Sequence, residues 1–186
     1  MIIMISGRAG EGKTSFANLC VEFLQKRGYK SKVFPFAAGV KETAKFMGWD
    51  GEKDADGRRL LQGIGNTGRE YRKNVWANWN IREITDWLLD IDGEDWVAFI
   101  DDWRFPNEGN VLSESFHPVK KLRVVRPERF HSLNGTDLYQ DISETSLPEA
   151  DKDPSFYDTI IYNSTSLEEL ENTAKQYVQR VIIGEK

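Results

Sequence analysis

Met1-Ile-Ile-Met-Ile-Ser6-Gly7-Arg-Ala-Gly10-Glu-Gly12-Lys13-Thr14 is the stretch that decides how the chain folds. Met1 to Ser6 is an apolar run with no polar alternation, which predicts a strand buried on both faces of a parallel sheet. Gly7 ends that run. From Thr14 the apolar positions Phe16, Leu19, Cys20, Phe23 and Leu24 recur at helical spacing, and Gly28 stands where a helix would stop. Between strand and helix, Gly7-x-x-x-x-Gly12-Lys13-Thr14 matches a phosphate-binding loop in the context that such a loop requires. The glycines let backbone N–H groups turn toward phosphate oxygens, and the helix N-terminus adds the positive end of its dipole. Lys13 is then placed to reach the terminal phosphates of ATP, and the Thr14 hydroxyl to ligate Mg²⁺. Arg8, Ala9, Gly10, Glu11 and Ser15 belong to the same ATP-binding turn. A dinucleotide fingerprint is excluded, because glycines 7, 10 and 12 run G-x-x-G-x-G and not G-x-G-x-x-G.

Residues 32–36 give the next strand, with Pro35 at its end or at a sheet edge. Residues 39–90 read as helical, with patterns over 40–47, 58–64 and 75–89 and no strand. Strands return at 96–100, a run closing on Asp101-Asp102, and at 119–125, closing on Arg126-Pro127. Residues 127–153 turn polar without a period and read as a loop or lid. A last strand at 157–162 precedes Asn163-Ser-Thr-Ser166 and Glu168-Glu169, a helix start for an amphipathic segment reaching Ile183. Strands alternating with helices predict an α/β fold on a mostly parallel sheet.

The chain of 186 residues fits one domain, and 39% hydrophobic against 30% charged residues excludes global disorder. Lys and Arg total 25 against 30 Asp and Glu, a formal charge of −5, the wrong sign for coating nucleic acid. A single cysteine, Cys20, rules out a disulfide framework or a Cys-rich metal cluster and suits a reducing cytoplasm. No apolar run is long enough to cross a membrane as a helix.

Asp101 and Asp102 end a buried strand, at the sheet edge where ligands bind, so one can hold the magnesium shell while the other faces an acceptor. We assign Asp101 to the metal with Thr14. Arg104, Arg123, Arg126 and Arg129 follow, and Arg58, Arg59, Arg69, Arg72 and Arg82 lie in the helical stretch. Guanidinium groups neutralise the charge that phosphoryl transfer spreads over oxygens. Arg104 and Arg126, each beside a strand end, are the preferred two, while His117 and His131 read as surface or packing residues. Most of the six tryptophans read as core, with Trp76, Trp79 or Trp103 left as candidates to stack on a base.

These segments together resemble the deoxynucleoside monophosphate kinases, a group often encoded by bacteriophages and structurally akin to adenylate kinase. Beyond the phosphate loop, the likeness is carried by Phe36-Ala37 with Lys41-Glu42, Arg59-Leu-Leu-Gln62 with Gly65, Arg69 and Trp76, and Asp102-Trp-Arg-Phe-Pro-Asn-Glu108. Ser143-Glu-Thr-Ser-Leu147, Tyr157-Asp-Thr-Ile-Ile-Tyr-Asn163 and Ser166-Leu-Glu-Glu-Leu170 complete it. The chain departs from the family pattern in having Asn66-Thr67 after Gly65 and Asp141-Ile-Ser-Glu144 in the lid.

The resemblance implies a P-loop NTPase-type three-layer sandwich with a five-stranded parallel sheet, filling one domain over residues 1–186. It implies a helical acceptor-binding insert at about 37–92 and a lid at about 127–150. The implied reaction is ATP plus dNMP giving ADP plus dNDP with Mg²⁺. By the same likeness Lys41, Arg59, Gln62, Arg69, Trp76, Asp102 and Arg104 bind the acceptor, Arg126 and Arg129 serve the triphosphate or the transferring group, and Asn163 lies near the adenine. Lys13, Asp102, Arg104 and Arg126 form the expected catalytic set. A homodimer fits small kinases of this kind. Two readings stay open beside it: a kinase whose acceptor is an alcohol, with Asp101 or Asp102 as base, and an ATP-gated binding module with little turnover.

Overall fold

The computed structural model describes residues 1–52, 54–91, 95–127, 146–148, 152–163 and 166–184. Arg129, His131, Asp141 to Glu144 and most of the expected lid lie outside the described residues.

The apolar runs form five strands: β1 (Ile2–Ser6), β2 (Lys30–Pro35), β3 (Trp96–Asp101), β4 (Val119–Val125) and β5 (Thr159–Tyr162). They make one all-parallel sheet in the order β2-β3-β1-β4-β5. Central β1 aligns Met4 with Ile100 of β3 on one side and with Lys121 of β4 on the other. Its missing alternation now has its cause. Ile3 and Ile5 enter one core with Phe16, Cys20 and Leu24 of α1 (Lys13–Gln25) and Leu170 and Ala174 of α6 (Leu167–Tyr177). Ile2 and Met4 enter the other, with Trp76 and Ile84 of α4 (Val75–Asp90) and Leu112 of α5 (Pro106–Ser115). These four apolar side chains of β1 are fully buried, and each contributes roughly 2 kcal/mol of apolar transfer. The result is a sheet between two helical layers.

Pro35 ends an edge strand, where its missing N–H breaks no ladder. Between β2 and β3 the insert comprises α2 (Ala38–Phe46), α3 (Ala55–Tyr71) and α4. α3 starts earlier than its apolar pattern, because the Asp54 side chain caps it by accepting the Gly57 N–H at 2.7 Å. α5 is an element that the apolar pattern did not reveal, and α6 continues as a π-helical turn over Val178–Ile183.

With all strands parallel, the loops leaving β1, β3, β4 and β5 share one sheet edge. From β1 the chain goes to β2 on one side, and from neighbouring β3 it crosses to β4 on the other. Loops 7–12 and 102–105 therefore diverge from adjacent strands, and a crevice opens between them.

Candidate functional site

The loop after β1 is built to receive an anion. Gly12 caps α1 in left-handed backbone at φ 95°, no side chain caps that end, and no acidic residue stands in the first turn. The first N–H groups of α1 and the positive end of its dipole are thus left to a ligand. A Cβ on Gly12 would stand 2.5 Å from Asn163 Nδ2. Asn163, at the exit of β5, donates to the Glu11 carbonyl at 2.9 Å and braces the loop from behind. Inside the turn, Arg8 N–H donates to the Glu11 carboxylate at 2.5 Å. The cavity in front, about 400 Å³, is lined by Gly10, Gly12, Lys13, Thr14, Ser15, Arg126 and Asn163.

Thr14 donates its hydroxyl to Asp101 Oδ2 at 2.5 Å, bringing together the two expected magnesium ligands. Asp101 Oδ1 is buried without a hydrogen-bond partner. Burial raises the Asp101 pKa, against the Thr14 hydrogen bond, which lowers it. An orphaned carboxylate oxygen beside a hydroxyl suits a hard cation. Among the described residues no cluster of three or more His, Cys, Asp or Glu side chains adds to this pair, so water and phosphate oxygens would complete the coordination.

Lys13 Nζ donates to the Gly7 carbonyl at 2.8 Å and the Arg8 carbonyl at 3.0 Å, and lies 3.3 Å from Asp102 Oδ1. Arg104 Nη2 lies 3.0 Å from the same oxygen. Burial alone would raise the Asp102 pKa, but Arg104 and Lys13 outweigh it and hold this carboxyl below its ordinary range. Asp102 adopts φ 69°, the one positive φ of a non-glycine among the described residues. That conformation costs on the order of 1–3 kcal/mol.

Asp102 and Arg104 also line a second cavity, about 420 Å³, between the β3–α5 loop and the insert. Lys41, Gln62, Arg69 and Trp76 line it too, so the structure gathers most of the expected acceptor residues there. Arg59 is not among them. It pairs with Asp56 on the outer side of α3, its side chain 80% exposed, and faces a different hollow. Arg58, itself exposed, lines the cavity instead, on the helical face it shares with Leu61, Gln62, Gly65 and Arg69. Of the three candidate tryptophans, Trp103 is 1% exposed, stacked on Phe156 and part of the core. Trp79 lies under the Arg82 guanidinium and is not among the residues lining this second cavity. Trp76 is a cavity wall, and its Nε1 donates to the Gly65 carbonyl at 3.0 Å, tying α4 to α3.

Arg123 lies among the buried residues of β4, in register with Ser6, and its Nε has no hydrogen-bond partner. His117 is exposed, just before β4 and so at the opposite sheet edge. Two further residues line the second cavity without having been expected to bind the acceptor: Arg58, named only among the arginines of the insert, and Glu108 on the first turn of α5, named only within the Asp102–Glu108 motif.

No protein-family model matches the chain, and no curated protein matches it in sequence. Among solved structures it is similar to an APS kinase from Mycobacterium tuberculosis in complex with AMPPNP and APS: TM-score 0.51, 12% identity, 95% of this chain and 96% of that one covered. It is also similar to a dephospho-CoA kinase from Campylobacter jejuni: TM-score 0.52, 17% identity, 98% of each chain covered. The five-stranded all-parallel sheet flanked by helices is the fold of these kinases.

Proposed function

We propose that the protein is a deoxynucleoside monophosphate kinase that moves the γ-phosphoryl group of ATP to the phosphate of a dNMP, giving ADP and dNDP. The observation that carries this reading is the charge of the second cavity. Lys41, Arg58, Arg69 and Arg104 line it against the two carboxyls of Asp102 and Glu108, so it suits an anionic acceptor. Phe36, Val40, Leu61 and Trp76 supply apolar wall for a nucleobase. The sequence resemblance is what narrows the acceptor to deoxynucleotides.

In this reading the phosphate loop binds the triphosphate, and the cationic cavity holds the acceptor opposite it. Lys13 and Arg104, gripping one oxygen of Asp102, stand side by side where the two cavities approach. They neutralise charge on the group in flight, and catalysis is mostly positioning and electrostatics. Magnesium, when bound with ATP, supplies further neutralisation, and Thr14 and Asp101 would hold it. A phosphate acceptor is already an anion near neutral pH, so no base is needed. The depressed pKa of Asp102 makes it a poor base, and Asp101, the other candidate base for an alcohol acceptor, is engaged by the Thr14 hydroxyl.

A panel assay tests the proposal: ADP release with each of the four dNMPs, with ribonucleoside monophosphates, with shikimate as an alcohol, and with no acceptor. Stimulation by dNMPs, at least a hundredfold over the acceptor-free rate and lost in folded Lys13→Ala, is expected. Tight ATP binding with no stimulation by any of them would replace the kinase with the binding module.

A further inference from the structure

We infer that Glu108 is a positioning residue of the acceptor cavity: its carboxyl holds the Asp102–Phe105 turn in place while forming part of the surface the acceptor meets. This rests on the acceptor reading above. Glu108 is the third residue of α5 and only 4% exposed. Its Oε2 accepts the N–H of Phe105 at 3.0 Å and of Arg104 at 3.2 Å. Phe105, which caps this helix, has no side-chain acceptor of its own, so Glu108 reaches back and does the capping. The turn it holds contains Asp102 in left-handed backbone and Arg104 ion-paired to it. Backbone strain of that kind persists only where neighbouring bonds impose it.

Glu108 also lines the cavity itself, beside Arg69, whose guanidinium lies 4.6 Å from the Phe105 ring centroid. Burial pushes its carboxyl up to about 7, against the two backbone hydrogen bonds and Arg69, which pull it down; Asp102 pushes the same way as burial. Arg69 faces it from α3, and Asp102 and Arg104 from the loop. Lys41 of α2 and Arg58 of α3 share the cavity, and α4 presents Trp76, which does not titrate. When Glu108 loses its proton, a negative charge appears in a pocket that takes a negatively charged acceptor. The two backbone bonds remain in either state.

The experiment is calorimetric binding of dGMP and of dTMP to the full chain at pH 6, 7 and 8, for wild type, Glu108→Gln and Glu108→Ala. The phosphate of the nucleotide titrates in the same range, but equally for every protein, so it cancels in the ratio of dissociation constants. The ratio of Glu108→Gln to wild type is expected to fall about fivefold from pH 6 to pH 8, on the order of one screened charge interaction. Glu108→Ala, which removes the grip on the turn, is expected to bind at least tenfold more weakly than Glu108→Gln at every pH while still folded by circular dichroism. A ratio constant across pH, or Glu108→Ala binding as well as Glu108→Gln, overturns the assignment while leaving the kinase reading intact. If none of the proteins binds either nucleotide at any pH, the acceptor reading fails and the role of Glu108 fails with it.

Discussion

At the scale of single residues, Arg58 and Arg59 separate geometry from composition. They are chemically identical neighbours about 100° apart on one helix, yet one lines the cavity proposed for the acceptor and the other pairs with Asp56 in solvent. Arg58→Ala is expected to raise the KM of the acceptor tenfold or more, the loss of one charge-assisted contact of about 1.5–3 kcal/mol. Arg59→Ala should change it less than twofold, because exposed pairs contribute ~1 kcal/mol at most. Steady-state kinetics on the two variants decides. The turn between β1 and α1 was legible from the sequence because Gly7 to Thr14 carry both pattern and context in consecutive residues. That arginines would gather at a cavity was legible in kind, but which of them face it depends on the phase of α3. That phase follows from the cap at Asp54, about one turn before the residues whose pattern suggested the helix.

Among the elements, the loop and helix that open the fold depend on one backbone conformation. Gly12→Ala would place a methyl group 2.5 Å from Asn163 Nδ2 in a region of backbone that side chains avoid. A loss of roughly 1–3 kcal/mol in unfolding free energy is expected, with weaker ATP binding, read by urea denaturation and calorimetry; a variant as stable as wild type would mean that the loop relaxes freely. β1 and β3 announced themselves as apolar runs because both are inner strands covered on both faces; β2 and β4 carry lysines among their apolar residues and were legible as shorter runs. α5 did not, since Pro106-Asn-Glu-Gly-Asn offers no apolar stripe in its first turn. Its signature was local: proline at the first helical position and Glu108 two residues later. Gly109 lies against Trp103, where a Cβ would stand 3.0 Å from the indole, and that need is set by tertiary contact alone.

For the whole molecule, Glu108 links the site to global stability. Its folded pKa, about 7, lies above the ordinary 4.5, so the folded chain keeps a proton that the unfolded chain gives up. Its contribution is complete below pH 4.5, is lost as pH rises toward 7, and is level above that. Wild type should therefore lose about 3 kcal/mol more than Glu108→Gln between pH 4.5 and pH 8, measured as the difference in urea-unfolding free energies. Parallel curves for the two proteins would show that the buried carboxyl carries its charge at no cost to the fold. Net charge and the single cysteine constrained the molecule from outside without locating any of this.

Trp76 stands as a party wall. One side of its ring closes the acceptor cavity, and the other belongs to the hollow of about 800 Å³ between α2 and α3, beside Met47, Leu60 and Tyr71. A compound wedged into that outer recess would press on the indole, strain its tie to Gly65, and spoil the chamber next door from behind. By linkage, a rising concentration of acceptor would ease such inhibition, whereas a rising concentration of ATP would not.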